Sequence, residues 1–336
     1  MLAINKSNTK DNITTLDVVM PCYNTPPEYL KSAIESVINE KSYLDQNNIV
    51  TSLIVVDDAS SDSESIDCIK GFSEKYSWIN ALFLSTNHGP AGSRNMALKT
   101  STSEWIAFLD SDDYWLPGAI ALLWDAIKNN STIEWISGDF YIEHVGKGKE
   151  SKTFYPQHQN RFKYINQAYE TNSPVRLERP VDQFMEGNLC SMGSCIISNK
   201  LLRKIGYFNA SLNKGVDTEL YWRLSKEADL VFSPVAVFVY RRYPGTVSHD
   251  GKNLSDWEPP ILYQMLSASS WQPYHKAIRR RLLRTLINIS FLSRNSRNFK
   301  KAISFSFDAV KLKPYGIRPW LAFISSASHY INSFLK

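Results

Sequence analysis

The chain has 336 residues, 43% of them apolar and 21% charged, which suits a globular protein with a sizeable core and excludes a disordered chain. No run of about 18 apolar residues occurs, so no membrane-spanning helix is expected, and the four cysteines (Cys22, Cys68, Cys190, Cys195) lack C-x-x-C spacing, so neither a disulfide framework nor a cysteine metal cage is implied. The net charge of +5 is unevenly divided: Tyr274 to Lys336 holds thirteen Lys or Arg against the single acid Asp308, a balance of +12, which leaves −7 on the first 273 residues.

Residues 1–15 are polar, expected to be frayed, and without the charged-then-apolar pattern of a signal peptide; with the cysteine usage this points to a reduced, cytoplasmic setting. Leu16 to Met20 reads as a first strand that Pro21 ends. Pro26 and Pro27 open a helix with Leu30, Ala33, Ile34, Val37 and Ile38 on one face. Leu53 to Val56 is a second strand, closed by Asp57-Asp58, and Ser61 to Glu64 has capping-box spacing for the next helix. Ala81 to Leu84 forms a third strand, and after the turn Asn87-His88-Gly89-Pro90 a short helix carries Arg94 and Asn95. Trp105 to Leu109 is a strand buried on both faces that runs into Asp110-Ser111-Asp112-Asp113, and Pro117 opens another helix.

Beyond residue 130 the pattern is less regular. Ile133 to Phe140 reads as a strand, Glu143 to Pro180 as a polar, aromatic insert of the kind that forms binding loops, and Cys190 to Ile197 as a second apolar stretch. Val216 to Leu224 starts a helix with acids in its first turn, and Leu230 to Tyr240 is a strand followed by Arg241-Arg242-Tyr243 and a loop reaching His249. From Tyr274 the chain is helical, with Arg279, Arg280, Arg281 and Arg284 among Ile278, Leu282, Leu283, Leu286 and Ile287. Such helices either lie on an anionic membrane surface or pack on the domain with a solvated basic face. The expected organisation is a flexible N-terminus (1–15), an α/β domain in two halves (16–130 and 131–255) and a basic amphipathic helical extension (256–336).

Strands alternating with helices over residues 16–130 predict βαβ units, a mainly parallel open sheet, and ligands at the strands' carboxyl ends. The polar segments Pro21 to Asn24, Asp57-Asp58, Asn87 to Arg94 and Asp110 to Asp113 all fall at those ends. Three acids within four positions repel unless a cation shares them, and Mg2+ or Mn2+ commonly combines one or two carboxylates with the phosphates of a substrate. For a sugar-nucleotide ligand, Asp110, Asp112 and Asp113 hold such a metal, Arg94 adds a charge-assisted contact to the diphosphate, Asp58 accepts the imide proton of a uracil ring and Tyr23 stacks on its face. A carboxylate able to take a proton from an acceptor hydroxyl is offered by Asp217 at its helix start.

Val18 to Asn24, Ile54 to Asp62, Asn87 to Asn95 and Phe108 to Asp113, in that order and spacing, resemble the family 2 inverting glycosyltransferases of GT-A fold; so do Gly206-Tyr207-Phe208 followed by Asp217 to Leu220 and Arg223, and Tyr240-Arg241 through Ser248. The likeness covers roughly residues 16–250. It implies a nucleotide-diphosphate sugar donor, most often UDP-linked, a divalent metal (Mn2+ or Mg2+) and inversion by one displacement. Pro21, Tyr23 and Asp58 match the nucleotide-binding positions, Arg94 the diphosphate-side basic residue, Asp110, Asp112 and Asp113 the D-x-D(D) element, and Asp217 the general base. Two departures stand out: the acidic pair reads Val216-Asp217, which makes Glu219 a rival base, and Tyr243 stands where relatives often carry His, with His249 just beyond. The expected function is transfer of a sugar to a glycan or lipid-linked saccharide acceptor in surface polysaccharide assembly, at the cytoplasmic membrane face; the alternative is a non-catalytic or regulatory carbohydrate- or membrane-binding protein on the same scaffold. A dehydrogenase is excluded by the absence of G-x-G-x-x-G after the first strand, a nucleotidyltransferase by the lack of a Gly-rich basic loop there, and nucleic acid by the lack of a recognition motif.

Overall fold

Leu16, Val18, Val19 and Met20 are fully buried at nearly successive positions, the burial that parallel strands show when helices cover both faces of a sheet. They belong to β1 (Thr14–Cys22), which with β2 (Ile49–Asp57), β3 (Ile79–Phe83) and β4 (Trp105–Phe108) makes a parallel sheet; Val18 sits between Leu53 and Ala107. The structure, a computed structural model, describes residues 14–158, 162–244 and 256–333, so most of the segment expected to fray and the loop with His249 lie outside the described residues. The first strand starts two residues earlier than expected and does not end at Pro21, which pairs with Val56 while Cys22 pairs with Asp57. The reason lies in the ladder. The carbonyl of Cys22 faces β2, where it accepts from the amide of Asp58 at 2.8 Å, and that of Val19 faces β4, where it accepts from Leu109 at 3.1 Å. By alternation the missing donor of Pro21 falls on the β4 side, beyond the last paired residue of β4.

The crossover helices α1 (Pro27–Gln46), α2 (Ser63–Lys75) and α3 (Gly89–Thr100) follow the expected order. Helix α1 starts with Pro at its first position and buries Leu30, Ala33, Ile34 and Val37. The cap of α2 is Asp62 rather than Ser61: its carboxylate accepts from the amides of Glu64 and Ser65, while the hydroxyl of Ser61 donates to Asn24 at 3.3 Å. After β4 come β5 (Tyr114–Trp115) and α4 (Ala119–Lys128), whose first amides are met by the Glu40 carboxylate of α1.

The second half of the sheet is mixed. β6 (Trp135–His144), β7 (Gly148–Lys149), β8 (Val175–Leu177), β9 (Ile196–Ser198) and β10 (Leu230–Arg242) complete the order β3-β2-β1-β4-β9-β6-β10-β5, with β7 on β6 and β8 on β10. β6 and β10 are parallel, whereas β9, β5, β7 and β8 join antiparallel. The apolar stretch Cys190–Ile197 is strand only at its end, being turned into a short 3-10 segment over Met192–Ser194. Pro234 sits where the β6–β10 register shifts, the place a sheet tolerates it. At the same crossing Gly138 admits Val237 and the carbonyl of Val235, which a Cβ would meet at 2.5 and 2.6 Å. The insert contributes α5 (Asn166–Thr171) and is pinned through Asp139, fully buried on β6, which accepts from the amides of Phe140 and Tyr155 (2.8 and 3.3 Å) and the hydroxyl of Tyr169 (2.6 Å).

This sheet unit comprises Met1–Pro180 and Leu189–Tyr243, and includes α7 (Asn199–Ile205) and α8 (Val216–Glu227). The second unit, Val181–Asn188 with Pro244–Lys336, is helical: α6 (Val181–Glu186), α9 (Glu258–Ser267), α10 (His275–Asn295), α11 (Phe299–Leu312) and α12 (Ile317–Asn332). α10 buries Ile278, Leu282, Leu286 and Ile289, and α11 buries Ala302, Ser306, Ala309 and Val310. Among the described residues no helix is long and apolar enough to cross a membrane.

Candidate active site

Four loops meet at the carboxyl ends of β1, β2, β3 and β4. Asn24, in the left-handed region at φ 48°, accepts from the amides of Ser61 and Asp62 at 2.8 and 3.1 Å, which ties the loop after β1 to the loop after β2. Asp58 is buried and its Oδ1 accepts from the amide of His88 at 2.8 Å, which fixes the turn into α3 and leaves the other oxygen for a ligand. Tyr23 is 55% exposed beside them, a free aromatic face at the mouth of the site. Thr25 and Ser111 share a hydroxyl contact at 2.7 Å, which sets the acidic turn against the loop of β1.

The acidic turn does not present all its acids alike. Asp113 is buried and accepts from the amide of Arg241 at 2.9 Å; Asp112 accepts from the hydroxyl of Tyr243 at 3.1 Å; and the guanidinium of Arg241 donates to the carbonyl of Asp112 at 3.1 Å. Arg241 is held in turn by Glu143 at 3.3 Å and Ser32 at 2.9 Å, with its guanidinium over the ring of Tyr114 at 4.3 Å. The end of β10 therefore clasps the turn. Arg241 was not among the site residues expected from sequence, since only a doubled arginine after an apolar strand marks it, 128 positions from the acid whose carboxylate it meets. Tyr243, which the sequence leaves without a role, is the partner of Asp112.

Arg94 lies on α3 with 4% of its side chain exposed, and it joins two acids: Nη2 donates to Asp110 and Nη1 lies 3.4 Å from Asp217. Its guanidinium also lies over the ring of Phe208, at 5.4 Å. The expected phosphate ligand is thus the bridge between the acidic turn and the candidate base, which are separated in sequence by the whole insert. Asp217, at the second position of α8, keeps 37% of its carboxylate side chain exposed. Glu219 differs: both its oxygens are taken by Arg223, at 2.7 and 2.6 Å, and it is buried.

Electrostatics follow from this crowding. Burial and the charge of Asp110 push Asp112 up to about 6, against the hydrogen bond from Tyr243. Burial, then the charges of Asp112 and Asp110, hold Asp113 well above the usual carboxylate range. Burial raises Asp217 as well, opposed by Arg94 and assisted by Asp110. Burial disfavours the cation of Arg94, but Asp110 and Asp217 together hold it above its ordinary value. Among the described residues no three His, Cys, Asp or Glu side chains converge into a metal cage. With Asp113 turned to the Arg241 amide, Asp112 and Asp110 offer the one or two hard oxygen ligands with which Mg2+ or Mn2+ combines substrate phosphates, so the donor set fits such a metal.

The family model described as "Glycosyl transferase family 2" matches residues 17–185, from within β1 into α6. The chain belongs to this family. An uncharacterized glycosyltransferase of Haemophilus influenzae is 24% identical over 243 residues, 71% of this chain and 72% of the relative. The UDP-Glc:alpha-D-GlcNAc-diphosphoundecaprenol beta-1,3-glucosyltransferase WfgD of Escherichia coli is 34% identical over 128 residues, 38% of this chain and 46% of that protein. Across the first three curated relatives the match spans between 38% and 72% of their own length. The crystal structure of S. aureus TarS 1-349 in complex with UDP-GlcNAc matches 89% of this chain and 81% of that one at a TM-score of 0.62 and 18% identity, so it shares the fold. The α/β sheet with flanking helices and the helical C-terminal region thus agree with the architecture that the motifs imply.

Proposed function

We propose that this chain is an inverting glycosyltransferase that moves a sugar from a nucleotide-diphosphate donor, UDP-linked, to a hydroxyl of a glycan or lipid-linked saccharide acceptor in bacterial surface polysaccharide assembly. The observation that carries this reading is the Arg94 bridge, which sets the Asp110 end of the acidic turn and a part-exposed Asp217 on one guanidinium. A donor-side metal turn beside a second, part-exposed carboxylate is the arrangement that sugar transfer needs, and a non-catalytic binder has no use for it. The UDP assignment draws support from the TarS structures, which are complexes with UDP-GlcNAc and with UDP, and the acceptor class from WfgD, whose name specifies a diphosphoundecaprenol-linked sugar.

In this mechanism Asp58 accepts the uracil imide proton with the oxygen that His88 leaves open, while Tyr23 stacks on the base. Asp112 and Asp110 would hold Mn2+ or Mg2+, which would supply Lewis-acid neutralisation of the charge that builds on the departing diphosphate, worth several kcal/mol. Asp217 accepts the proton of the attacking hydroxyl as the new bond forms on the face opposite the leaving diphosphate, which inverts the anomeric centre. Asp217 is preferred over Glu219 because Arg223 occupies both oxygens of the latter. The basic C-terminal unit serves as a peripheral anchor to the anionic inner face of the cytoplasmic membrane.

The test is direct. A thermal-shift panel of UDP-, GDP- and dTDP-sugars with and without Mn2+ should show the largest rise for a UDP-sugar with metal, since ligand that binds only the folded state stabilises it. Asp217→Asn should keep that shift and lose about 10²–10⁴-fold in transfer rate, whereas Asp112→Asn should lose the metal-dependent part of the shift and the activity. Wild-type transfer by both folded variants removes the assignment.

A further inference from the structure

The C-terminal unit contains a cavity of about 720 Å³ between α10 and the turn that joins α11 to α12. Leu283 and Ile287 form its apolar wall, and Arg280, Arg284, Lys313 and Arg318 set four cations around it. Arg280 lies 3.4 Å from Glu186, and Arg284 donates to the carbonyls of Met185 and Glu186. Lys313 and Arg318 have no side-chain hydrogen bond or ion pair among the described residues. Nor can the tail readily supply an anion, with its thirteen cations and one acid. A cavity rimmed by cations with an apolar wall is suited to an anion that carries a hydrocarbon part.

The surface beside it is equally specific. Ile317, Leu321, Ile324 and Ile331 of α12 are each more than half exposed, and their spacing of four, three and seven residues places them on one stripe of the helix. Tyr315, 99% exposed at the cavity edge, and Trp320, whose indole donates to the carbonyl of Pro314 at 2.7 Å, add amphipathic rings of the kind that settle at a lipid headgroup boundary. A soluble polyanion or a free phosphate gives the cations a partner but leaves the apolar stripe in water.

We infer that this cavity is a seat for the phosphate of an anionic membrane lipid, with the exposed stripe of α12 lying in the headgroup–acyl boundary beside it. The inference rests on the peripheral-membrane part of the proposed function and sharpens it from diffuse attraction to a phosphate-selective site. Lys313 and Arg318 supply charge-assisted hydrogen bonds to phosphate oxygens, Arg280 and Arg284 add positive charge from positions held on α6, and Leu283 and Ile287 meet the first carbons of the lipid.

Flotation of the full chain decides it, with vesicles of phosphatidylcholine alone, or mixed with phosphatidylglycerol or with phosphatidic acid at matched surface charge. Wild type should favour the exposed phosphomonoester of phosphatidic acid. Lys313→Glu with Arg318→Glu should lose about tenfold or more of that binding and fall to the phosphatidylglycerol level, at about fivefold per cation near a membrane. The neutral pair Lys313→Gln with Arg318→Gln guards against a folding effect and should show the same loss of preference. Lys276→Glu with Lys300→Glu, exposed cations outside the cavity, should weaken binding to both anionic vesicles alike. If the two reversed pairs behave identically, the cavity has no selectivity and the inference falls while the membrane reading stands. If wild type floats on no anionic vesicle, the membrane reading falls with it. If inorganic phosphate in solution protects Lys313 from acylation as well as vesicles do at equal phosphate, the occupant is a free anion and the lipid assignment is wrong.

Discussion

Arg94 is the residue on which the charge balance of the site turns, because it is a nearly buried cation that faces two carboxylates, each 37% exposed. Removing it in Arg94→Met leaves Asp110 and Asp217 facing one another without compensation. The expected cost is about 2–4 kcal/mol, below or near that of breaking a fully buried pair because water still reaches both acids. Arg94 lowers the pKa of Asp217 against the raising effect of burial, so the variant should carry a still higher value. As the proposed general base, Asp217 works deprotonated; the rate should therefore fall as pH drops through its pKa, and the acid limb of kcat/KM in Arg94→Met should move to higher pH than in wild type. An unmoved limb with lower stability would leave Arg94 a structural residue only. The same residue shows the reach of motif reading: its position after a Gly-containing turn was legible, but its partner Asp217 lies 123 positions away and no local pattern encodes that contact.

At the scale of elements, β10 does the work that the sequence hides. Its end holds Asp113 through a backbone amide and Asp112 through Tyr243, so Tyr243→Phe removes one oriented hydrogen bond from the acids proposed to hold the metal without altering any of them. A stability loss of about 1 kcal/mol and weaker metal-dependent donor binding, read by thermal shift, are expected; unchanged metal affinity would show that Asp112 needs no such support. Asp139 on β6 offers a different check. Burial raises its pKa, so between the unfolded value, about 4, and the higher folded value the folded chain holds the additional proton. The contribution of this group to stability is thus greatest at the acidic end of that window and declines as pH rises through it. Asp139→Asn should abolish that slope in a chemical-denaturation series, and Asp139→Ala, which strands two amides and the Tyr169 hydroxyl, should cost about 3 kcal/mol. The β-α alternation of β1 to β4 was readable because each strand is a short apolar run followed by a helix period. The insert pinned by Asp139 was not, since its burial comes from aromatic contacts such as Phe140 on Phe154 and Tyr155 on Phe232, which follow no period.

At the scale of the whole molecule, the charge split seen in the sequence falls near a division in structure without matching it: the sheet unit ends at Tyr243 with a net charge of −3, and the helical unit, which also takes in Asp182, Glu186 and the acids before Tyr274, carries +8. What composition could not reveal is that α6, taken from the middle of the chain, belongs with those helices, because a six-residue segment has too short a period to declare its partner. A unit so rich in like charge needs internal anchors, and its principal one is Glu258, buried at the start of α9, whose two oxygens receive Nε (2.7 Å) and Nη2 of Arg281 and whose Oε2 also accepts from Thr285 at 2.7 Å. Arg281→Met keeps the length and much of the packing of the side chain but leaves a buried carboxylate with one hydroxyl. Breaking such a pair costs about 3–5 kcal/mol, far more than losing any exposed Lys or Arg of the tail. Amide hydrogen exchange should therefore quicken through α9 and α10 in Arg281→Met and remain at the wild-type rate in β1 to β4, whereas Glu258→Gln with Arg281→Met, which removes both charges together, should recover most of the protection. Uniform acceleration across both units would mean that the pair supports the whole molecule rather than the helical unit it joins.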